Sequence, residues 1–495
     1  MTLKRNVVAN LLGRTYSMAS VYLFVPFYVA TLGIERYGIV AFYAILLTIA
    51  ALADVGLSAT LAREAAREPD RGRLRDLLAT MERILLTTAL VVAVVVILGA
   101  EGVAGYWLNG GEVVRSSDIA TSLRLMALMI VPQLGISLYT AGLLGLERQA
   151  TANILQAAFV TIRGGLVIPL LYLQPSLQLF FGWQLGVTVV FFLITRAILL
   201  RGMGFGALTL GQASLKSLRP VMAFAGGMFA ITVLAAINTQ MDKLVVSKMF
   251  SIAEFSYYSL ASTLAQLPSV VVGPLLVAML PRLTRMVADG DEAGASALFA
   301  RFCRMVAVLS GVGATGLFFF APEVLALWLG ADHVADAAVT VVRILSLGGL
   351  FLALGSTPFY LGLAHGHNRT SIVIGVGTLA LAIPLLLLAS ARFGLIGAAW
   401  PWVLINLSSF VALTLIVTRR YYRGSVAILM ARSTVGPLVI CVTALALART
   451  MADALEASPA TACAIAAVAS VAAVVGTSAT EIRNEITRRR LAAAA

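Results

Sequence analysis

The chain has 495 residues, of which 60% are hydrophobic and only 12% are charged, and its mean hydropathy is +0.95. A soluble core cannot bury that much apolar surface, so the composition excludes a soluble globular protein and indicates a polytopic membrane protein in a lipid bilayer. No motif that reads RNA or DNA accompanies the net charge of +13, so no nucleic-acid partner is expected.

Fourteen apolar stretches are long enough to cross a bilayer, because a spanning helix needs about 20 mostly apolar residues. The first contains Arg14 and leads directly into another span, so we interpret it as a membrane helix rather than a cleaved signal peptide. The predicted fold class is an all-α polytopic membrane protein with about 14 transmembrane helices. In chain order, the predicted spans are 7–32, 38–61, 84–106, 119–146, 152–173, 177–200, 218–241, 253–280, 304–328, 338–364, 370–391, 395–418, 433–452 and 460–479.

Basic residues concentrate in alternate loops between these spans. Most of the 36 lysines and arginines, Arg196 among them, fall on one predicted face together with both termini. Lysine and arginine are retained on the cytoplasmic side of a membrane. We therefore predict that both termini are cytoplasmic.

The chain repeats itself. The stretch "GIERYGIVAFYA" (33–44) aligns with "SIAEFSYYSLAS" (251–262), and Arg124 aligns with Arg343 at nearly the same offset. Six spans separate the copies, an even number, so we predict two parallel repeats of the kind found in alternating-access carriers. The predicted domains are an N-terminal six-helix lobe (1–200), a cytoplasmic inter-lobe linker (201–217), a C-terminal six-helix lobe (218–420), two additional transmembrane helices (421–480) and a cytoplasmic tail (481–495).

Five ionisable residues stand out inside the predicted spans, where a charge is costly unless it has a partner or lines a watery cavity. Arg124 and Arg343 are symmetric in the repeat, whereas Arg14, Asp54 and Arg163 have no charged counterpart. Arg14 and Asp54 are both expected about 10 Å inside the membrane. A structural ion pair is therefore one interpretation of Asp54; proton or ion coupling and simple exposure to water are the others.

Four intramembrane arginines against one aspartate make the interior net positive, which suits an anionic substrate. A guanidinium binds phosphate oxygens bidentately and stays charged. Arg63 and Arg67 belong to a basic stripe at the cytoplasmic end of the second span. This stripe indicates either positive-inside topology with anionic lipid contact or the steering of an anionic headgroup into the cavity.

The stretches "PFYVATLGIERYGIVAFY" (26–43), "DVGLSATLAREAAR" (54–67) and "MDKLVVSKM" (241–249) resemble the polysaccharide transporter family of the multidrug/oligosaccharidyl-lipid/polysaccharide (MOP) exporter superfamily, the Wzx-type O-antigen and exopolysaccharide flippases. The resemblance implies two six-helix lobes around a central cavity in the bacterial inner membrane. It also implies movement of a polyprenyl-diphosphate-linked oligosaccharide from the cytoplasmic to the outer leaflet, for O-antigen, capsule or exopolysaccharide biosynthesis. The two extra C-terminal helices resemble the lipid II branch of the superfamily.

On this resemblance, the substrate diphosphate is expected on Arg14 and Arg163, with Arg124 or Arg343 engaged as the lobes rock. Arg14 matches the related flippases by location only. Energy is expected from a proton or sodium gradient acting through Asp54, or from consumption of the glycan outside. The implied partners are the lipid-linked oligosaccharide, the bilayer, and the polysaccharide polymerase with its chain-length machinery.

The alternatives are a lipid II flippase and a cation-coupled multidrug or metabolite antiporter of the same superfamily. An enzyme is not expected, because the external loops are too short for a glycosyltransferase or polymerase domain. Neither a cofactor nor a metal is expected, since His365 and His367 are two residues apart and do not share a helix face.

Overall fold

The computed structural model describes residues 16, 20–68, 70–108, 114–206, 222–330 and 335–494, and this part of the chain is almost entirely helical. Within it, eleven helices are long and apolar enough to cross a membrane. The predicted all-α polytopic fold class is therefore confirmed. The chain divides into two compact units, Met1–Ser256 and Tyr257–Ala495.

The first unit is built from helices that follow the predicted spans closely. Its core contains Leu61 of α3, Met81 and Leu85 of α4, Tyr139 of α5 and Leu199 of α8, all 1% exposed or less. The helices are α1 (Ser20–Leu32), α2 (Ile34–Ala50), α3 (Leu57–Arg67), α4 (Arg71–Gly102), α5 (Ser116–Gly145), α6 (Gln149–Val160), α7 (Val167–Leu173), α8 (Leu177–Gly202) and α9 (Met222–Met249).

A glycine lets α5 pack closely against α3 in this unit. A Cβ on Gly145 of α5 would lie 2.3 Å from the carbonyl oxygen of Ala62 in α3, so only glycine fits there. Small residues at such crossings let membrane helices pack backbone to backbone, which compensates for the weak hydrophobic driving force between helices in lipid.

The second unit has a hydrophobic core of its own. It contains Met279 and Leu283 of α11, Phe299 of α12 and Leu354 of α14. The helix α10 (Ile252–Ala265) contains the point of division. The remaining helices are α11 (Leu267–Ala288), α12 (Glu292–Phe319), α13 (Ala321–Leu329), α14 (Asp336–Ala364), α15 (Asn368–Leu413), α16 (Arg419–Tyr421), α17 (Val426–Met430), α18 (Gly436–Ala454) and α19 (Pro459–Ala494).

The helix α15 is two helices joined at Gly394, whose backbone (φ 63°, ψ −150°) is not helical. Its two parts correspond to the separate predicted spans 370–391 and 395–418. The helices Ser20–Leu32 and Met222–Met249 lie at the predicted first and seventh spans. The domain boundaries stay a prediction, and residues 207–217 of the predicted linker lie outside the described residues.

The predicted second span is not one continuous helix. After a 3₁₀ turn at Ala51–Asp54, the chain takes the left-handed conformation at Val55 (φ 47°) and Gly56 (φ 76°), and α3 then begins. The apolar run 38–61 gives no sign of this break, because hydropathy records composition rather than backbone conformation.

Candidate functional site

A π turn at Thr161–Gly165 interrupts the membrane helix formed by α6 and α7. The N–H of Leu166 reaches back five residues to the carbonyl of Thr161, at 3.3 Å. Such turns replace the regular i to i−4 pattern and occur frequently at functional sites. Arg163 lies in this turn, about 20 Å along the helix from Gln149 and about 15 Å from Leu173 at 1.5 Å per residue, near the middle of the span.

Side chains from two other helices bind the backbone carbonyls of the π turn. The Tyr28 hydroxyl of α1 donates to the carbonyl of Gly164 (2.7 Å). From α8, Trp183 Nε1 donates to the carbonyl of Ile162 and Gln184 Nε2 to that of Arg163, each at 3.1 Å. These bonds matter because an unpaired backbone group at membrane depth costs several kcal/mol.

Gly164 allows α1 to approach the turn. A Cβ at this position would lie 2.7 Å from Phe24 and 3.2 Å from the Tyr28 hydroxyl. A second contact to the π turn joins the Tyr16 hydroxyl to Thr161 Oγ1 at 2.6 Å. The site is therefore assembled from α1, α6 and α8, with α5 contributing a side chain to the guanidinium.

The Arg163 guanidinium is held by amides and aromatic rings. Its Nε donates to Gln184 Oε1, and its Nη1 donates to Gln133 Oε1 of α5 at 3.3 Å. The rings of Tyr43 and Phe159 each have their centroid 5.3 Å from Cζ. Cation–π contacts of this kind stabilise a guanidinium without neutralising it.

No carboxylate lies within salt-bridge distance of Arg163 among the residues that the structure describes. Arginines elsewhere in the first unit do have acidic partners, such as Glu82 for Arg196 and Glu101 for Arg124. Arg163 is thus a positive charge near the middle of a membrane helix with only neutral partners in the described part. Chemically, this arrangement can receive an anion.

Asp54 has a local partner that the sequence did not indicate. Its carboxylate accepts hydrogen bonds from the backbone N–H (3.1 Å) and the hydroxyl (2.9 Å) of Ser58 in the first turn of α3. A carboxylate satisfies the free N–H groups of a helix N-terminus and interacts favourably with its dipole. Asp54 therefore caps the helix that begins after the break.

The remaining predicted residues have other contacts or lie outside the described chain. Arg124 donates to Glu101 of α4 at 2.6 Å on an exposed surface, and Arg343 donates to the carbonyl of Phe318 in the last turn of α12 (3.1 Å). Their predicted contact with the diphosphate stays a prediction. Arg63 is half-buried and Arg67 exposed on α3, whereas Arg14 lies outside the described residues. The predicted pairing of Arg14 with Asp54 stays a prediction.

Sequence reasoning missed a buried polar triad. Arg196 Nε of α8 donates to Glu82 Oε1 of α4 at 2.7 Å, and the Tyr139 hydroxyl of α5 donates to the same oxygen at 2.7 Å. The Arg196 and Glu82 side chains are only 14% and 15% exposed. Arg196 lies near the end of the predicted span 177–200, and its position there indicated a residue of the cytoplasmic face. The structure instead places its charge inside the helix bundle.

Gln133 and Gln184 were also missed. The signal that could have found them is an amide side chain within an otherwise apolar span, since such a group needs partners at membrane depth.

Residues 3–287 match the family model described as "Polysaccharide biosynthesis protein", which is more than half of the chain. The chain belongs to the polysaccharide biosynthesis protein family. A relative from Shigella flexneri is named as a candidate O-antigen transporter. It is 23% identical over 412 residues, which cover 81% of this chain and 94% of the relative.

Solved structures of other proteins have a similar fold. The lipid II flippase MurJ in an inward closed conformation superimposes with a TM-score of 0.73 at 13% identity, covering 97% of this chain and 99% of MurJ. An inward-facing multidrug resistance MATE family transporter of the MOP superfamily gives 0.63 at 15% identity, with coverage of 86% and 100%. The predicted family and fold are confirmed. These relatives are named as transporters or flippases, in agreement with the prediction that the chain is not an enzyme.

Proposed function

We propose that this protein is a flippase that moves a polyprenyl-diphosphate-linked oligosaccharide from the cytoplasmic to the outer leaflet by alternating access. The observation that carries the proposal is Arg163, a cation in the middle of a membrane helix whose described partners are all neutral. A diphosphate is the part of such a substrate that needs a positive charge while it crosses. The guanidinium provides that charge at any physiological pH.

The charge of the site argues against the main alternative. A drug antiporter that exports cations needs acidic groups where the substrate binds, because a buried positive charge repels a cationic ligand. The described neighbours of Arg163 provide amide oxygens and aromatic rings but no carboxylate. A lipid II flippase remains a narrower alternative, since its substrate also carries a diphosphate.

The relatives support the same class of substrate. The Shigella flexneri relative is named for O-antigen, and the MurJ structure is named for lipid II. The diphosphate contacts predicted from Arg14, Arg124 and Arg343 remain part of this proposal, as do an energy source in a proton or sodium gradient and a polysaccharide polymerase as partner. The concentration of basic residues in alternate loops supports a bacterial inner membrane location with cytoplasmic termini.

The test is leaflet transfer by the purified protein in liposomes, with a fluorescent undecaprenyl-diphosphate oligosaccharide as substrate. We expect transfer by the wild type and a loss of roughly 10- to 100-fold in Arg163→Ala, the equivalent of one hydrogen-bonded charge. Arg163→Lys is expected to retain part of the rate, since a lysine keeps the charge but cannot bind two oxygens in a planar fork.

Arg36→Ala is the matched control, because Arg36 is an arginine of the same unit that donates to the backbone carbonyl of Pro175, at 3.1 Å. It is expected to transfer at the wild-type rate. Absence of transfer with every diphosphate-linked glycan offered, together with gradient-dependent efflux of cationic drugs, would refute the flippase proposal. Equal rates in Arg163→Ala and Arg36→Ala would refute the role of Arg163.

A further inference from the structure

Gln184 contacts Arg163 at two points. Its Nε2 donates to the backbone carbonyl of Arg163 (3.1 Å), and its Oε1 accepts from the guanidinium Nε. The carbonyl can only accept and the guanidinium can only donate, so these two partners fix which end of the amide is which. Gln184 is 4% exposed, and its position on α8 is therefore set by packing as well as by these bonds.

Gln133 restrains the guanidinium from another helix. Its Oε1 accepts from Nη1 at 3.3 Å, while Tyr43 and Phe159 are both in cation–π contact with the guanidinium. The two amides thus engage Nε and Nη1, and neither of them takes Nη2. Nη2 and the remaining N–H of Nη1 form one edge of the guanidinium, which matches two oxygens of a phosphate group.

A glutamate has nearly the same shape as a glutamine and accepts hydrogen bonds more strongly, but it cannot donate one. Carboxylates are the partners of Arg196 and Arg124 in this unit, where the pairs join α4 to α8 and α4 to α5. At Arg163, both accepting oxygens belong to amides. The difference is that an amide orients the guanidinium and leaves its full positive charge, whereas a carboxylate would cancel it.

We propose that Gln133 and Gln184 are charge-preserving positioning residues, which hold the Arg163 guanidinium so that its Nη2 edge receives two oxygens of an anionic phosphate group. The proposal rests on the proposed function for the identity of that group as the diphosphate of a lipid carrier. The amides themselves touch the arginine, and their effect on the anion acts through it.

The experiment compares two substitutions of similar size in the full-length protein in nanodiscs. Gln184→Glu keeps the hydrogen bond accepted from Nε, loses the one donated to the carbonyl of Arg163 and adds a negative charge, whereas Gln184→Met removes both hydrogen bonds and adds no charge. The probes are inorganic pyrophosphate and undecaprenyl diphosphate, with Kd measured by calorimetry and the thermal unfolding midpoint measured without ligand. Gln133→Glu provides a second charge-adding variant.

We expect Gln184→Glu to weaken binding of both probes roughly 10- to 100-fold, as expected for loss of one charge-assisted contact. Gln184→Met is expected to weaken binding only about 2- to 5-fold, through lost orientation of the guanidinium. The thermal midpoint of Gln133→Glu, which loses no donated hydrogen bond, should lie at or above that of the wild type, whereas the midpoint of Gln184→Met should lie below it. Gln133→Glu should weaken binding as Gln184→Glu does, because both add a negative charge beside the guanidinium.

A merely structural role for the amides predicts that Gln184→Met binds worse than Gln184→Glu, and this order would overturn the inference. Wild-type affinity in both charge-adding variants would overturn it as well, while leaving the flippase proposal intact. A wild type that binds neither probe would overturn the flippase proposal itself, and the inference with it. Tighter binding of undecaprenyl diphosphate than of pyrophosphate would support a lipid carrier as the source of the diphosphate.

Discussion

Replacing Glu82 by Gln is expected to destabilise the first unit by about 3–5 kcal/mol, the cost of leaving one charge of a buried ion pair without its counter-charge. The Glu82 carboxylate accepts from Arg196 Nε at 2.7 Å and from the Tyr139 hydroxyl at 2.7 Å, and both members of the ion pair are about 85% buried. Tyr139→Phe removes a single hydrogen bond to a charged group and should cost about 1.5–3 kcal/mol.

The assay is equilibrium unfolding in mixed micelles, with the free energy of unfolding obtained by linear extrapolation. Glu101→Gln is the control, because the ion pair of Glu101 with Arg124 is 79% and 44% exposed and should contribute less than about 1 kcal/mol. The double variant Glu82→Leu with Arg196→Met removes both charges and should be less destabilised than Glu82→Gln alone. A cost for Glu82→Gln no larger than that for Glu101→Gln would refute the reasoning.

Substitutions at three further positions probe the breaks in the helices. Gly164→Ala adds a Cβ 2.7 Å from Phe24 and should cost about 1–3 kcal/mol through overpacking; an unchanged thermal midpoint would contradict the close approach of α1. Asp54→Asn should retain stability within about 0.5 kcal/mol and Asp54→Ala should lose about 0.5–2 kcal/mol, since asparagine caps helices as well as aspartate does. Gradient-dependent transport that persists in Asp54→Asn would contradict a coupling role for this carboxylate. Gly394→Ala forces an L-residue into a glycine-only conformation and should cost about 1–3 kcal/mol by the same unfolding measurement, so an equal free energy would show that the kink relaxes.

The apolar runs of the sequence predict the membrane helices well, because burial in lipid requires about 20 apolar residues whatever the neighbours are. The break at Val55 and Gly56 and the π turn around Arg163 were not predictable in this way. Each depends on contacts with other helices, such as Thr88 of α4, which donates to the carbonyl of Ala53 at 3.2 Å. Hydropathy along one helix contains no information about such donors.

The candidate site was predicted in part for a similar reason. Arg163 stands out in the sequence because a charge within an apolar run is rare. Its amide partners on α5 and α8 are 30 and 21 residues away along the chain, and only the packing of the helices brings them to one guanidinium. The same packing takes Arg196 from a predicted loop face to a buried contact with Glu82, 114 residues distant.

The two amides at Arg163 also have a genetic consequence. Codons for glutamine and glutamate differ only in their first base, so a point mutation at either position exchanges an amide for an acid without changing the shape of the side chain. A single base change is therefore enough to cancel the positive charge of this site with a side chain of the same size. Position 133, whose amide accepts one hydrogen bond from the guanidinium, is the place where that change alters the charge and little else.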